Sequence, residues 1–133
     1  MKAAARHDRV RQQHSDELAE DYVEAINELL EGGKKARVKD LQRVFGVSHV
    51  SVIRALRRIE ERGLVLRTEK EGLQLTEAGK EMAVSSSLRH NLVVRFLKAL
   101  GVGDPQAEAD AEGMEHHLSG ETLEAMRRFL EQS

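Results

Sequence analysis

The 133-residue chain has no cysteine, no tryptophan, a single proline, and only three Phe and one Tyr. Without cysteine there can be no disulfide, no thiolate zinc site and no cysteine nucleophile, which agrees with a reducing cytoplasm. With so few aromatic rings, a stacking platform for single-stranded nucleic acid is not expected. No apolar run is long enough to span a bilayer, and no secretory h-region is visible. The expectation is therefore a cytoplasmic protein with no membrane partner.

What the chain does have is Ala, Leu, Glu and Arg, residues that favour helix, in a length that suits one domain or two small units. The formal net charge of −2 conceals an asymmetry. Between Lys34 and Lys70 there are eleven Lys/Arg against four Asp/Glu; between Glu81 and Ser133 there are five against nine. The first segment could face a polyanion, and the second resembles a cation or partner site. Charge alone is equally met by ordinary solvated helix faces.

Read for periodicity, residues 1–14 are polar and basic, with Arg6, Arg9 and Arg11 and almost no apolar repeat, which predicts a flexible arm. A helix is expected from near Ser15, with Leu18, Tyr22, Ala25, Ile26, Leu29 and Leu30 as its stripe and Gly32-Gly33 as its end. "RVKDLQRVFGV" reads as a short helix stopped by Gly46. "SHVSVIRALRRIEERG" reads as a second, capped by Ser48 and closed by Gly63. "LVLRTEKEGLQLT" reads as a two-stranded ribbon with Leu64, Leu66, Leu73 and Leu75 facing inward. A long helix from about Glu77 to Leu100 follows, then two amphipathic helices over about 105–118 and 120–131. The expected organisation is a winged helix–turn–helix unit over 15–76, a linker helix over 77–101 and a helical dimerisation and metal-binding unit over 102–133. The fold class is mainly α.

Two helices joined by a short Gly-containing turn and followed by a hairpin form the winged helix–turn–helix order. Leu41 and Val44 are expected to meet Val47, Val52, Leu56 and Ile59 inside. Ser48, His49, Val50, Ser51 and Arg54 then face outward at the start of the second helix. Arg can pair with guanine, Ser and His can bond several base edges, and Val can meet a thymine methyl. Arg57 and Arg58, a turn later, suit phosphate contact. Arg67 and Lys70 at the wing tip are diluted by two Glu. A protein-binding module remains the alternative for this half, but the turn, the basic segment and the outward side chains agree on double-stranded DNA.

The second constellation is acidic and imidazole-bearing. Asp21 and Glu24 stand at i, i+3 on the first helix. His90 sits among Leu88, Leu92 and Val93. Glu112, Glu115 and His116 in "EGMEHHLSG" stand at i, i+3 and i+4, one face of a helix; His117 points about 100° away. Taken singly, each has a plain explanation, since a Glu pair is usually a solvated face and a lone His beside apolar residues a satisfied core residue. As a group, four carboxylates and two imidazoles suit hard to borderline divalent cations such as Mn²⁺ or Fe²⁺. Two such ions would balance the carboxylate charge, and the crowded carboxylates would otherwise repel one another.

The strings "AEDYVEAI", "RHNLVVRFLKALGV" and "EGMEHHLS", with "GLQLTEAGK" after the ribbon, resemble the manganese-transport-regulator branch of the diphtheria-toxin-repressor family, from about Ser15 onward. The resemblance implies a homodimeric, metal-activated repressor that binds operator DNA and holds a binuclear metal site, two Mn²⁺ per subunit, with no organic cofactor. Carried over residue by residue, the ligands fall on Asp21, Glu24, His90, Glu112, Glu115 and His116. Iron-sensing relatives carry Met and Cys where this chain has Asp21 and Glu115, which favours Mn²⁺, with Fe²⁺, Co²⁺, Cd²⁺ or Zn²⁺ able to substitute in vitro. The arm is longer than in the shortest relatives, and the extra C-terminal domain of the iron-sensing members is not expected.

The implied mechanism is that metal fixes the pose of two recognition helices, which must lie about 34 Å apart or a multiple of it to enter successive major grooves. Met114, Leu118, Leu123, Met126, Phe129 and Leu130 are the expected dimer surface, with intrachain core as the alternative. Two rival functions stay open at this point. One is a metal-independent winged-helix regulator sensing a small ligand; the other is a carboxylate/His metallohydrolase or oxygenase. The latter lacks a phosphate loop and an H-E-x-x-H helix, so no enzyme activity is expected.

Overall fold

The computed structural model describes the backbone of residues 2–132 and the side chains of Arg6 and residues 15–132. Along the chain run α1 (Lys2–Glu31), α2 (Val38–Phe45), α3 (His49–Glu61), β1 (Val65–Thr68), β2 (Gly72–Leu75), α4 (Glu77–Ala99), α5 (Asp104–Met114), a single 3-10 turn (Glu115–His117) and α6 (Gly120–Glu131). They form two compact units, one of His14–Val84 and one of Met1–Gln13 with Ser85–Ser133. No described helix is long and apolar enough to cross a membrane.

In the unit of His14–Val84, α1 contributes Ala19, Tyr22, Val23 and Ile26 to a core shared with Leu41, Val52, Leu56, Ile59, Val65, Leu73 and Leu75. The short α2 is held at its start by the Asp40 carboxylate, which accepts from the Arg37 backbone N–H at 3.0 Å. It ends at Gly46, whose φ of 63° is the left-handed conformation that closes a helix without a Cβ penalty. Two residues on, the Ser48 hydroxyl accepts from the Ser51 N–H at 3.2 Å and starts α3. A stacked Tyr22–Phe45 pair, ring centroids 4.6 Å apart and planes within 8°, ties α1 to the end of α2.

The ribbon is antiparallel, with Val65 opposite Leu75, Leu66 opposite Gln74, Arg67 opposite Leu73 and Thr68 opposite Gly72. Its second strand is also met by the segment before α2: the Leu73 N–H donates to the Ala36 carbonyl at 2.8 Å. Gly72 is required there, because it has φ +76° and a Cβ would stand 2.6 Å from the Ala36 oxygen. The other unit is built on Val93, Val94 and Leu97 of α4, Ala107 and Ala111 of α5, and Met126 of α6. Pro105 near the start of α5 and the Ser119 hydroxyl, which accepts from the Thr122 N–H at 3.1 Å, set the starts of the last two helices.

Several expectations are corrected. Helix α1 begins at Lys2, not near Ser15, so residues 2–14 are helical rather than a loose arm. Ala-, Arg- and Gln-rich sequence supports helix by intrinsic propensity without an apolar stripe, and it was the stripe that marked the expected start. The side chains of Arg9 and Arg11 lie outside the described residues. Leu18, Val44 and Val47 are exposed rather than inward, and Leu66 faces solvent while its neighbour Val65 is buried. The helix expected over 105–118 ends at Met114 and gives way to the 3-10 turn. The long helix 77–99 supplies Ala83 to one core and Val93, Val94 and Leu97 to the other.

Candidate functional site

Helix α3 buries Val52, Ala55, Leu56 and Ile59. The 3.6-residue repeat therefore turns His49, Val50, Ser51, Arg54, Arg57 and Arg58 outward, and all of them, with Ser48, are exposed. Ser48 is partly committed: besides capping the helix, its hydroxyl donates to the Ser51 oxygen at 3.1 Å. The remaining outward set at the N-terminal end of α3 is imidazole, a branched apolar group and a guanidinium, a combination able to read base edges in a major groove. The wing offers less. The Arg67 side chain is bonded to Glu60 of α3 at 2.5 Å, which anchors the ribbon to the helix.

In the unit of Ser85–Ser133, the small side chains of Ala107 and Ala111, both fully buried, let α5 pack closely into the core around α4. Leaving α5, the chain turns through Glu115–His117, which carries Glu115 inward: its side chain has no exposed surface, and that of His116 is 3 % exposed. His90 of α4 meets this turn. Its Nδ1 lies 2.5 Å from Glu115 Oε2 and 3.7 Å from Glu112 Oε1, and its Nε2 lies 2.8 Å from Glu108 Oε2. Glu115 Oε1 is buried, accepts no hydrogen bond, and lies 3.6 Å from His116 Nε2.

The electrostatics follow from this packing. Burial pushes the Glu115 carboxyl above the usual carboxylate range; hydrogen bonding to His90 and its charge oppose that shift, and the nearby Glu112 charge adds to it. Burial alone would lower His90, but its bonds to Glu108 and Glu115 and the charges of Glu115 and Glu112 reverse the direction, so it is raised. A buried carboxylate oxygen with no donor is costly and is met well by a cation. Carboxylate oxygens with imidazole nitrogens form the donor set of hard to borderline divalent ions. The residues fit such an ion. Among the described residues no three His, Asp or Glu are already spaced to enclose one; Glu108 and Glu115 bond to the His90 ring.

Of the six residues expected as ligands, the fold brings His90, Glu112, Glu115 and His116 together within one unit. Asp21 and Glu24 stand at i, i+3 on α1 in the other, both half-buried. His117 is exposed. Glu108 was missed. Its only signal in the sequence was spacing, four residues before Glu112 and seven before Glu115 on the same helical face. The expected dimer surface is largely interior: Met126 is buried, and Met114, Leu118 and Leu123 pack against the same core. Phe129 remains exposed, edge-on to Phe96 with centroids 5.4 Å apart.

Comparison with known proteins accounts for both halves. Residues 16–73 match the iron dependent repressor N-terminal DNA binding domain, and residues 76–133 match the iron dependent repressor metal binding and dimerisation domain. The chain is 43 % identical over 122 residues to the transcriptional regulator MntR of Escherichia coli O6:H1, covering 92 % of this chain and 79 % of that one. It is 33 % identical over 105 residues to the HTH-type transcriptional regulator MntR of Bacillus subtilis, covering 79 % and 74 %. Among solved structures, the manganese regulator SloR superposes with a TM-score of 0.75 at 28 % identity over 86 % of this chain; the chain spans about half (54 %) of SloR. On these matches, which extend over both the winged helix and the carboxylate–histidine cluster, the chain belongs to the iron-dependent repressor family.

Proposed function

We propose that the protein is a manganese-responsive transcriptional repressor that binds operator DNA as a homodimer. The observation that carries the reading is the buried Glu115 carboxylate with its donor-free oxygen, set beside His90, Glu112 and His116 in the same chain as an outward-facing recognition helix. Asp21, Glu24, His90, Glu112, Glu115 and His116 are the proposed ligands, for two Mn²⁺ per subunit. Bound Mn²⁺ supplies the positive charge that offsets these carboxylates. In this reading the bound metal sets the pose of the winged helix, which lowers the cost of ordering it on DNA. The cluster acts as a switch, with no reaction assigned to it.

On α3, His49, Val50, Ser51 and Arg54 are the proposed base readers, with Ser48 at the cap beside them and Arg57 and Arg58 on the phosphates. Arg54→Ala is expected to weaken specific operator binding by about 1–3 kcal/mol and to relax preference at one base pair. Arg57→Ala is expected to weaken all DNA equally and to lower the salt slope of binding by about one. Fluorescence anisotropy on specific and scrambled duplexes at several salt concentrations checks both.

The switch itself is tested by titrating Mn²⁺ into the protein with labelled duplexes selected for binding, with and without chelator. Operator affinity is expected to rise with Mn²⁺ and fall on chelation. Affinity indifferent to the ion would discard the metal-responsive reading, and hydrolysis of a phosphoester or peptide by the loaded protein would revive an enzymatic one.

A further inference from the structure

Both ring nitrogens of His90 are engaged, and by different carboxylates. Nδ1 faces Glu115 and Glu112, two of the proposed ligands, whereas Nε2 faces Glu108, which lies outside that set. The two partners differ in setting. Glu115 has no exposed side-chain surface, while the Glu108 side chain is 60 % exposed. An imidazole that binds a metal through one nitrogen carries a proton on the other, and an acceptor at that second nitrogen fixes both the tautomer and the ring's rotation.

We infer that Glu108 is a positioning residue for the metal site: it accepts the Nε2–H of His90 and so aims Nδ1 toward Glu112 and Glu115. The geometry assigns the role to Glu108 because it is the carboxylate bonded to Nε2, at 2.8 Å, on the side of the ring away from the buried Glu115. Its place on α5, seven residues before Glu115, holds it across the ring without entering the core. The neighbouring acid Asp110 is otherwise occupied, accepting from Gln106 at 2.8 Å.

The inference rests on the proposed metal-binding role, and the test separates the two. Full-length protein, Glu108→Ala and Glu108→Gln are compared for Mn²⁺ affinity by the electron-spin-resonance signal of free Mn²⁺. The His90 ring is followed by ¹⁵N NMR in the diamagnetic Cd²⁺-loaded protein. Removing an acceptor that orients a metal-bound histidine typically weakens binding by about 10–100-fold, and Glu108→Ala is expected to fall in that range. Glu108→Gln keeps an acceptor oxygen and is expected to restore most of the loss, with the Nε2–H resonance retained as in the parent. Unchanged Mn²⁺ affinity in Glu108→Ala would overturn the inference, and so would Glu108→Gln binding as weakly as Glu108→Ala, since charge or direct ligation would then be what matters. Parent protein that takes up no Mn²⁺ would instead remove the functional reading beneath it.

Discussion

Glu115→Ala is expected to weaken Mn²⁺ binding by more than about 100-fold, beyond the 10–100-fold typical of outer groups that merely orient ligands, and to leave operator binding insensitive to the ion. The effect is large because Glu115 is the fully buried carboxylate of the cluster and the one whose second oxygen has no hydrogen-bond donor. Its truncation removes a buried negative charge beside His90 and a carboxylate that reaches both imidazoles of the cluster, 2.5 Å from His90 and 3.6 Å from His116. Folding should survive, because deleting a buried carboxylate also deletes the cost of keeping it out of water. Thermal melting in chelator checks that point, and spin resonance of free Mn²⁺ gives the affinity. Asp110→Ala is the control. It removes an exposed carboxylate from α5, the helix just before the turn that carries Glu115, and its binding is expected to match the parent. Should Glu115→Ala retain parental affinity, the metal does not sit at this cluster.

Gly79→Ala is expected to destabilise the protein by about 3 kcal/mol or more, at the upper end of what overpacking a tight contact produces. A Cβ at Gly79 would lie 2.1 Å from the Leu64 carbonyl oxygen and 3.4 Å from the Leu75 Cβ. Neither neighbour can swing away, since one is backbone and the other the root of a buried side chain. The same corner is held by Thr76, whose hydroxyl donates to the Gly63 carbonyl at 2.6 Å and accepts from the Gly79 N–H at 3.0 Å, while its N–H donates to Leu64 at 3.1 Å. Added volume must therefore pry the first turn of α4 from the ribbon. Gly113→Ala gives the opposite expectation. Nothing lies within 4 Å of a Cβ there, and replacing glycine inside α5 should stabilise by about 1 kcal/mol through helix propensity. Urea denaturation in the absence of metal measures both. A Gly79→Ala midpoint equal to the parent's would contradict the close approach of α4 to the ribbon.

The two glycines read alike in the sequence, each inside a helical pattern, and the opposite signs expected of them come wholly from what lies opposite. The same distinction runs through the fold. Local chemistry determined the helix ends, because a left-handed Gly46, the Ser48 hydroxyl and the Ser119 hydroxyl act on backbone a few residues away. It also determined which face of α3 is outward, since one long amphipathic helix allows a single phase. Where a segment is short, periodicity left the phase open. In the run Leu64-Val65-Leu66 any alternation fits, and pairing with β2 together with packing of the core buried Val65 beside Leu64 and left Leu66 outside. In the eight-residue α2, Leu41 and Val44 were equally good inward candidates, and only Leu41 is buried.

For the site, the sequence by itself determined which donors are available, carboxylates and imidazoles without thiolate, and a family motif pointed to six proposed ligand positions. Tertiary structure decided the rest. It ended α5 at Met114, so that Glu115 points into the core while Glu112 stays exposed on the last helical turn. It also set Glu108 against the far nitrogen of His90, eighteen residues away in sequence. A helix repeat can say which side chains share a face, but burial of a charge and the partner that meets it depend on groups brought close only by packing of distant segments, and these carry no local signature.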